Sequence, residues 1–247
     1  MLEKIEGIVI KSQDYGETHK IVTIFSKKVG KLSALARGAK KTKSRMAAVT
    51  QPFIHGEFFI YLGKGLSTIQ QGEVINSNRA IREDIMKTAF TAFVVELTDK
   101  LLEAEEPDYY IYEQLAKTIA WIVENDDADI PIMMYELKLY KKGGFAPTVD
   151  SCVNCGRKED LVSFSIAEGG LLCNRCASID QHAIALPKSV AKLLRIFLEV
   201  GLEQVGTITI KEQNKQILRK LLDAYYDQYG GYFLKSKKFL RQIDQLK

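Results

Sequence analysis

Four cysteines stand in two pairs, Cys152-Val-Asn-Cys155 and Cys173-Asn-Arg-Cys176, with seventeen residues between the pairs. Two thiols separated by two residues can reach one ion together, and the spacing between the pairs lies in the range of four-cysteine zinc sites. Four thiolates complete a tetrahedral shell around Zn2+ and leave no position for substrate water, so one structural zinc on Cys152, Cys155, Cys173 and Cys176 is expected. Gly156, directly after the first pair, can take the left-handed turn that lets backbone amides face the sulfurs. Gly169-Gly170 stands where the chain must reverse between the pairs. Other chemistries use the same residue types. A thioredoxin-like redox pair needs a strand-to-helix junction of a βαβ unit, which neither pair has. Four buried structural thiols would not need paired spacing. A zinc deaminase would use His55-Gly56-Glu57 as its H-x-E sequence. No proline precedes Cys152 or Cys173, however, and nearly a hundred residues separate the parts.

The second constellation is cationic. Ala36-Arg37-Gly38-Ala39-Lys40-Lys41-Thr42-Lys43-Ser44-Arg45 carries five positive charges and no negative one, and Lys27, Lys28 and Lys31 flank the preceding turn. Such a loop can track a phosphate backbone while Phe25, Phe58, Phe59 or Tyr61 offers a stacking surface. The DNA-binding candidates are therefore Lys27, Lys28, Lys31, Arg37, Lys40, Lys41, Lys43 and Arg45, with a merely solvated loop as the alternative. A third group, Lys235, Lys237, Lys238 and Arg241 beside Tyr232, Phe233 and Phe239, has the mixture that suits an acidic, hydrophobic peptide. A solvated terminal helix is the alternative there. Catalytic candidates are few. Gly63-Lys64-Gly65-Leu66-Ser67-Thr68 lacks the spacing of a phosphate cradle, and His19, His55 and His182 have no partner motif. The acidic run Glu103, Glu105, Glu106 and Asp108 reads as a solvated helix end. No enzyme is expected.

The elements that must position these residues change character along the chain. Runs rich in β-branched and aromatic residues recur at 5–11, 20–25, 31–36, 53–61 and 67–75, punctuated by Asp14-Tyr15-Gly16, Val29-Gly30 and Gly63-Lys64-Gly65. Five short strands without a long helical pattern predict a small barrel. The five-stranded OB-fold is the first candidate, with an SH3-like barrel not separable by propensity. Helical spacing then takes over, at Met86, Phe90, Phe93, Leu97 and Leu101 and again at Ile111, Leu115, Ile119 and Ile122. Asp129-Ile130-Pro131 opens a third helix with Met133, Leu137 and Tyr140 on one face, ending near Gly143-Gly144. Residues 145–182 read as irregular. Pro187 opens another helix (Val190, Leu193, Leu194, Phe197), followed by a run at Ile217, Leu218, Leu221, Leu222 and Tyr225. A tail helix carries Phe239, Leu240 and Ile243. The fold class is thus α+β and multi-domain: a barrel at 1–80, a helical domain begun at 81–144 and completed at 184–247, and a four-cysteine zinc module at 145–183 inserted between.

Composition agrees. The chain of 247 residues has a net charge of only +4. Residues 1–80 carry +7, residues 81–160 carry −8 and residues 161–247 carry +5. A basic N-terminal part points first to a polyanion. The start of the chain has neither the basic stretch nor the apolar run of a signal peptide, and no stretch has the length of a membrane helix. A cytosolic protein with reduced thiols is the expectation.

The opening Gly7-Ile8-Val9-Ile10-Lys11-Ser12-Gln13-Asp14-Tyr15-Gly16-Glu17 with Lys20-Ile21-Val22-Thr23-Ile24-Phe25 resembles the N-terminus of the RecO family of bacterial recombination mediators. So does Gly30-Lys31-Leu32 leading into Ala36-Arg37-Gly38-Ala39-Lys40-Lys41. Tyr135-Glu136-Leu137-Lys138-Leu139, with Gly143-Gly144-Phe145-Ala146-Pro147 before Cys152, resembles the family's helical domain at its entry to the zinc insertion. The resemblance implies an OB-fold, binding of single- and double-stranded DNA, annealing of complementary strands, and help in loading RecA recombinase onto DNA coated by single-strand-binding protein. It implies RecR and the acidic C-terminal tail of single-strand-binding protein as partners, in the bacterial cytoplasm at the nucleoid. Some RecO-like proteins lack the cysteines, so the shared activity does not require zinc.

Overall fold

The computed structural model describes residues 1–205 and 210–244. The chain packs as two compact units, Met1–Ala128 with Leu234–Lys247, and Asp129–Phe233.

The first unit is built on five strands, β1 (Leu2–Tyr15), β2 (His19–Ser26), β3 (Gly30–Ala36), β4 (His55–Tyr61) and β5 (Leu66–Asn76), with a short helix α1 (Arg45–Val49) between β3 and β4. The strands close in the order β1-β2-β3-β5-β4, antiparallel except for the β3–β5 pair, which is a barrel of OB type. Alternation drives closure. In β3 the residues Leu32, Ala34 and Ala36 turn inward, and in β4 Phe58 and Ile60 do. With Ile5, Val9, Val22, Ile24, Val49, Ile54 and Ile69 they fill the barrel. β1 serves two neighbours, pairing β4 through its first half and β2 through its second, with a bulge between Val9 and Lys11. Such a bulge bends one strand around a barrel. The short helix was not expected from sequence. Ser44 caps it by accepting the Met46 N–H, and buried Val49 sits over Gly72, where an added Cβ would lie 3.0 Å from the valine.

Four helices complete this unit, α2 (Arg79–Glu83), α3 (Ile85–Leu101), α4 (Tyr109–Glu124) and, from the chain's end, α8 (Lys235–Asp244). Asp84 and Asp108 cap α3 and α4 through the N–H groups of Lys87 and Ile111, each at 2.9 Å. The first turn of α8 is held by Glu96 of α3, whose carboxylate accepts the Lys235 and Ser236 N–H groups at 3.2 and 2.8 Å. That places a negative charge at a helix N-terminus, where the backbone dipoles favour it. The acidic run after α3 is seated on the barrel rather than only solvated. Glu105 donates its N–H to the Lys31 carbonyl at 2.9 Å. Gly30 permits this approach, because at φ 71° a Cβ there would stand 2.3 Å from the Glu106 carbonyl oxygen.

The second unit holds α5 (Asp129–Lys142), three strands β6 (Leu161–Ser165), β7 (Gly170–Cys173) and β8 (Ile184–Ala185), and the helices α6 (Lys188–Glu199) and α7 (Glu212–Tyr229). The expectation of an irregular 145–182 is corrected: β6 and β7 form a hairpin around Gly169-Gly170, and β8 pairs with the other edge of β6. The expectation of one buried face on α5 is corrected too. Every residue from Pro131 to Tyr140 is buried, Glu136 and Lys138 included. Buried charge must be paired or hydrogen-bonded, and both are. Arg219 of α7 bridges Glu136 at 3.1 Å and Asp129 at 2.8 Å. Lys138 donates to the Phe197 and Val200 carbonyls at 2.9 and 2.7 Å, satisfying the end of α6.

Burial brings the Lys138 amine down to about 8, below the ordinary lysine value of the unfolded chain. A base with a lowered folded pKa holds fewer protons folded than unfolded between those two values, so its contribution to stability rises with pH across that window. Compared with Lys138→Met, the parent should therefore gain on the order of 2 kcal/mol between about pH 8 and 10. Denaturant titrations of both proteins across that range check this, and a constant difference would rule it out.

Candidate metal centre and nucleic-acid interface

The cysteine module is a hairpin between two knuckles. Cys152 donates its N–H to the Arg157 carbonyl at 2.7 Å and accepts at its own carbonyl from Gly156 at 2.8 Å. Gly156 makes this turn at φ 73°, the left-handed conformation expected of it. The second knuckle starts where β7 ends, with the Cys176 N–H on the Cys173 carbonyl at 2.9 Å. Val153 N–H on the Leu171 carbonyl, at 2.8 Å, straps the first knuckle to β7. The β6–β7 turn is held by α7, as the Tyr229 hydroxyl donates to the Ile166 and Ala167 carbonyls at 2.7 and 2.9 Å.

This scaffold gathers the four sulfurs within 4.8 Å of one another. Cys155 and Cys173 Sγ are 3.7 Å apart, and a zinc ion with sulfurs at about 2.3 Å requires an edge of about 3.8 Å. The electrostatics lean the same way. Burial opposes ionisation of Cys152, yet backbone N–H groups of Cys173, Cys155 and Asn154 bring its thiol down to about 6. Cys173 is lowered against burial by the amides of Cys176 and Arg175. Cys176 receives the Asn154 side-chain N–H at 3.3 Å, which favours its thiolate, but burial and the crowd of neighbouring sulfurs hold its proton on to about 11. Four sulfurs this close become four thiolates only when a cation compensates them. Cys152, Cys155, Cys173 and Cys176 can hold one metal ion. Among the described residues theirs is the one group of three or more potential ligands. His55, the residue a deaminase would need, instead bonds Glu6 at 2.9 Å and the Tyr112 hydroxyl at 3.3 Å.

The basic segment follows β3, and Arg37, Lys40, Lys41, Lys43 and Arg45 are all exposed. Of these, Lys40 pairs with Asp14 at 2.8 Å, and no ion pair among the described residues engages the other four. Each of the flanking lysines meets a carboxylate. Lys27 pairs with Glu6 at 3.0 Å and Lys28 with Glu3, while Lys31 reaches the Asp99 carboxylate and carbonyl with its side chain only 15% exposed. Two of the suggested stacking rings, Phe25 and Phe58, are fully buried, which removes them as base platforms. Phe59 lies under the Lys4 ammonium at 5.7 Å, and Tyr61 is 50% exposed. Sequence reasoning missed what holds the loop. The β1–β2 turn does so: Gly38 N–H donates to His19 Nδ1 at 2.9 Å, and Lys40 N–H to the Thr18 carbonyl at 3.0 Å. Asp14-Tyr15-Gly16 signalled a turn, but no local pattern signals its long-range partner. In the tail, Lys235, Lys238 and Arg241 are exposed whereas Lys237 is buried at 6% exposure, and Phe239 is 40% exposed.

A closed barrel of OB type with a cationic loop, joined to a helical region that carries four cysteines able to hold one metal ion, defines the class of this multi-domain α+β protein. Comparison with known families makes this specific. Residues 1–78 match the model "Recombination protein O N terminal" and residues 82–238 match "Recombination protein O C terminal". DNA repair protein RecO of Oceanobacillus iheyensis is 59% identical over 244 residues, covering 99% of this chain and 95% of the relative. DNA repair protein RecO of Bacillus cereus (strain AH187) is 46% identical over 245 residues, 99% of both chains. The chain belongs to the RecO family, and its role lies in DNA repair and recombination. Among the described residues no helix is long and apolar enough to cross a membrane.

Proposed function

We propose that this protein is a non-enzymatic recombination mediator of the bacterial cytoplasm. It binds single- and double-stranded DNA through the barrel, anneals complementary strands, and helps RecA onto DNA coated by single-strand-binding protein. The observation that carries the reading is the exposed loop of residues 37–45, in which four of five cations have no acidic partner among the described residues. Unpaired exposed cations on a barrel rim release counterions when they meet phosphates, and this is the main source of sequence-independent affinity. The functional division is a DNA-binding part at 1–80, a helical part at 81–144 and 184–247, and a zinc module at 145–183. The ion in that module is zinc, because four thiolates in a closed tetrahedron select it over harder cations. Annealing of two complementary fluorescent oligonucleotides tests the reading. Acceleration by the protein in the absence of nucleotide is expected, and an unchanged annealing rate would exclude it.

The partners follow from the family: RecR, and the acidic tail of single-strand-binding protein. We place the tail on α8 at Lys235, Lys237, Lys238 and Arg241. Because Lys237 is buried, the informative variant is Lys235→Glu with Lys238→Glu. Affinity for a tail peptide should fall roughly tenfold, since like charges replace attraction at a partly exposed contact, while DNA affinity stays within about twofold. Unchanged peptide affinity by fluorescence anisotropy would remove this assignment.

A further inference from the structure

We infer that the tip of the β1–β2 hairpin is part of the DNA path, with Tyr15 as the side chain on which an unpaired nucleobase stacks. The inference rests on the DNA-binding reading of the 37–45 loop and adds a second kind of contact to it.

Three contacts make the tip and the loop one body. Gly38 N–H donates to His19 Nδ1 at 2.9 Å, Lys40 N–H donates to the Thr18 carbonyl at 3.0 Å, and the Lys40 ammonium meets Asp14 at 2.8 Å. That ammonium holds the Asp14 carboxyl below its usual value. Tyr15 lies between these anchors, paired across the hairpin with His19. Next to it Gly16 turns at φ 60°, with nothing within 4 Å of where its Cβ would be. Tyr15 is 52% exposed, although hairpin tips are commonly polar. Loop and tip together carry five cations against Asp14 and Glu17, so the surroundings of the ring remain attractive to phosphate.

The other aromatic side chains of the barrel do not share these properties. Phe25 and Phe58 are buried, and Phe59 is covered by Lys4. Tyr61 pairs with Leu2, at the opposite end of β1 from Tyr15. Binding of single strands without sequence preference combines cations that follow the backbone with rings on which bases stack, and every base has a face to offer. Duplex bases are already stacked on one another. A stacking tyrosine therefore adds affinity for single strands alone, whereas the lysines serve both forms.

Tyr15→Ala and Tyr15→Trp, compared with the parent on a single-stranded oligonucleotide and its duplex over a range of salt, test this. Tyr15→Ala should lower single-strand affinity by between about 5- and 150-fold. The salt slope and the duplex affinity should not change, and Tyr15→Trp should hold or exceed parental affinity. Parental single-strand affinity in Tyr15→Ala overturns the inference. Equal losses in both variants, or an equal loss on duplex, also overturn it by showing that the tip only supports the loop. Failure of the loop itself has a different signature, since Lys40, Lys41 and Lys43 replaced by Ala would then leave affinity and slope unaltered whatever Tyr15 does.

Discussion

Cys152→Ser should drop the metal content from one zinc per chain to near zero and unfold the module around it, while the barrel keeps its grip on DNA. Cys152 is 1% exposed and sits at the start of the first knuckle. Its sulfur receives backbone N–H groups from both knuckles. A hydroxyl there binds zinc poorly and cannot carry the charge those amides are aimed at. Structural four-cysteine sites contribute on the order of 10 kcal/mol to the folding of their modules, more than the small hydrophobic cluster of Leu172, Val153, Leu161 and Ala183 around the thiols is expected to replace. The loss should appear as new proteolytic cleavage within residues 150–180 and as zinc released to a colorimetric indicator. Oligonucleotide binding should stay close to parental, because the barrel closes on its own core. Elemental analysis finding well under one equivalent of zinc in parent protein purified without chelator would overturn the assignment.

Replacing Lys40, Lys41 and Lys43 with Ala should weaken DNA binding on every sequence alike. If the loop and its neighbours neutralise about five phosphates, the logarithm of single-strand affinity falls against the logarithm of salt with a slope of about −3.5. Removing three cations brings the slope to about −1.4 and lowers affinity roughly 100-fold at about 0.1 M salt. Phosphate contacts carry no base information, so random and homopolymeric strands should lose equally. Losing Lys40 also uncovers the Asp14 carboxylate, which adds to the effect at low salt. Stability should barely change, because exposed ion pairs contribute little. A triple variant with parental affinity and slope would show that the loop is a solvated turn and that DNA runs elsewhere.

Part of this protein could be read residue by residue. The strand runs near 5–11, 20–25 and 31–36 became β1, β2 and β3; inward and outward residues alternate in β3, where one face of the sheet meets the core, while β1 and β2 are buried without a break over 7–10 and 22–26. The stripes at Met86–Leu101 and Ile111–Ile122 lie within α3 and α4 for the corresponding helical reason. Cysteine spacing pointed to the four sulfurs that the structure gathers, since two knuckles of fixed length bring them together with little help from distant chain. Periodicity failed where burial was not one-sided. α5 is buried all round, so its charges looked like an outward face until Arg219 and the end of α6 supplied their partners. It failed also for α1, whose five residues are too few to show a period, and for the β6–β7 hairpin, whose short strands lie among the cysteines.

What tertiary structure alone decided is which charges and rings are available. Lys27, Lys28 and Lys31 look like the cations of the loop in sequence, yet in the fold each meets a carboxylate, Glu6, Glu3 or Asp99, and Lys31 is largely covered. Phe25 and Phe58 resemble Tyr15 in aromatic character, yet barrel closure buries the first two and leaves the third half exposed. The anchoring of the basic loop by His19 and Thr18 joins residues some twenty positions apart. A hydrogen bond of that span depends on two turns meeting at one end of a closed barrel. Residue type and spacing can nominate a charge or a ring for function, but its partners are set by strand order, and only the closed barrel determines that order.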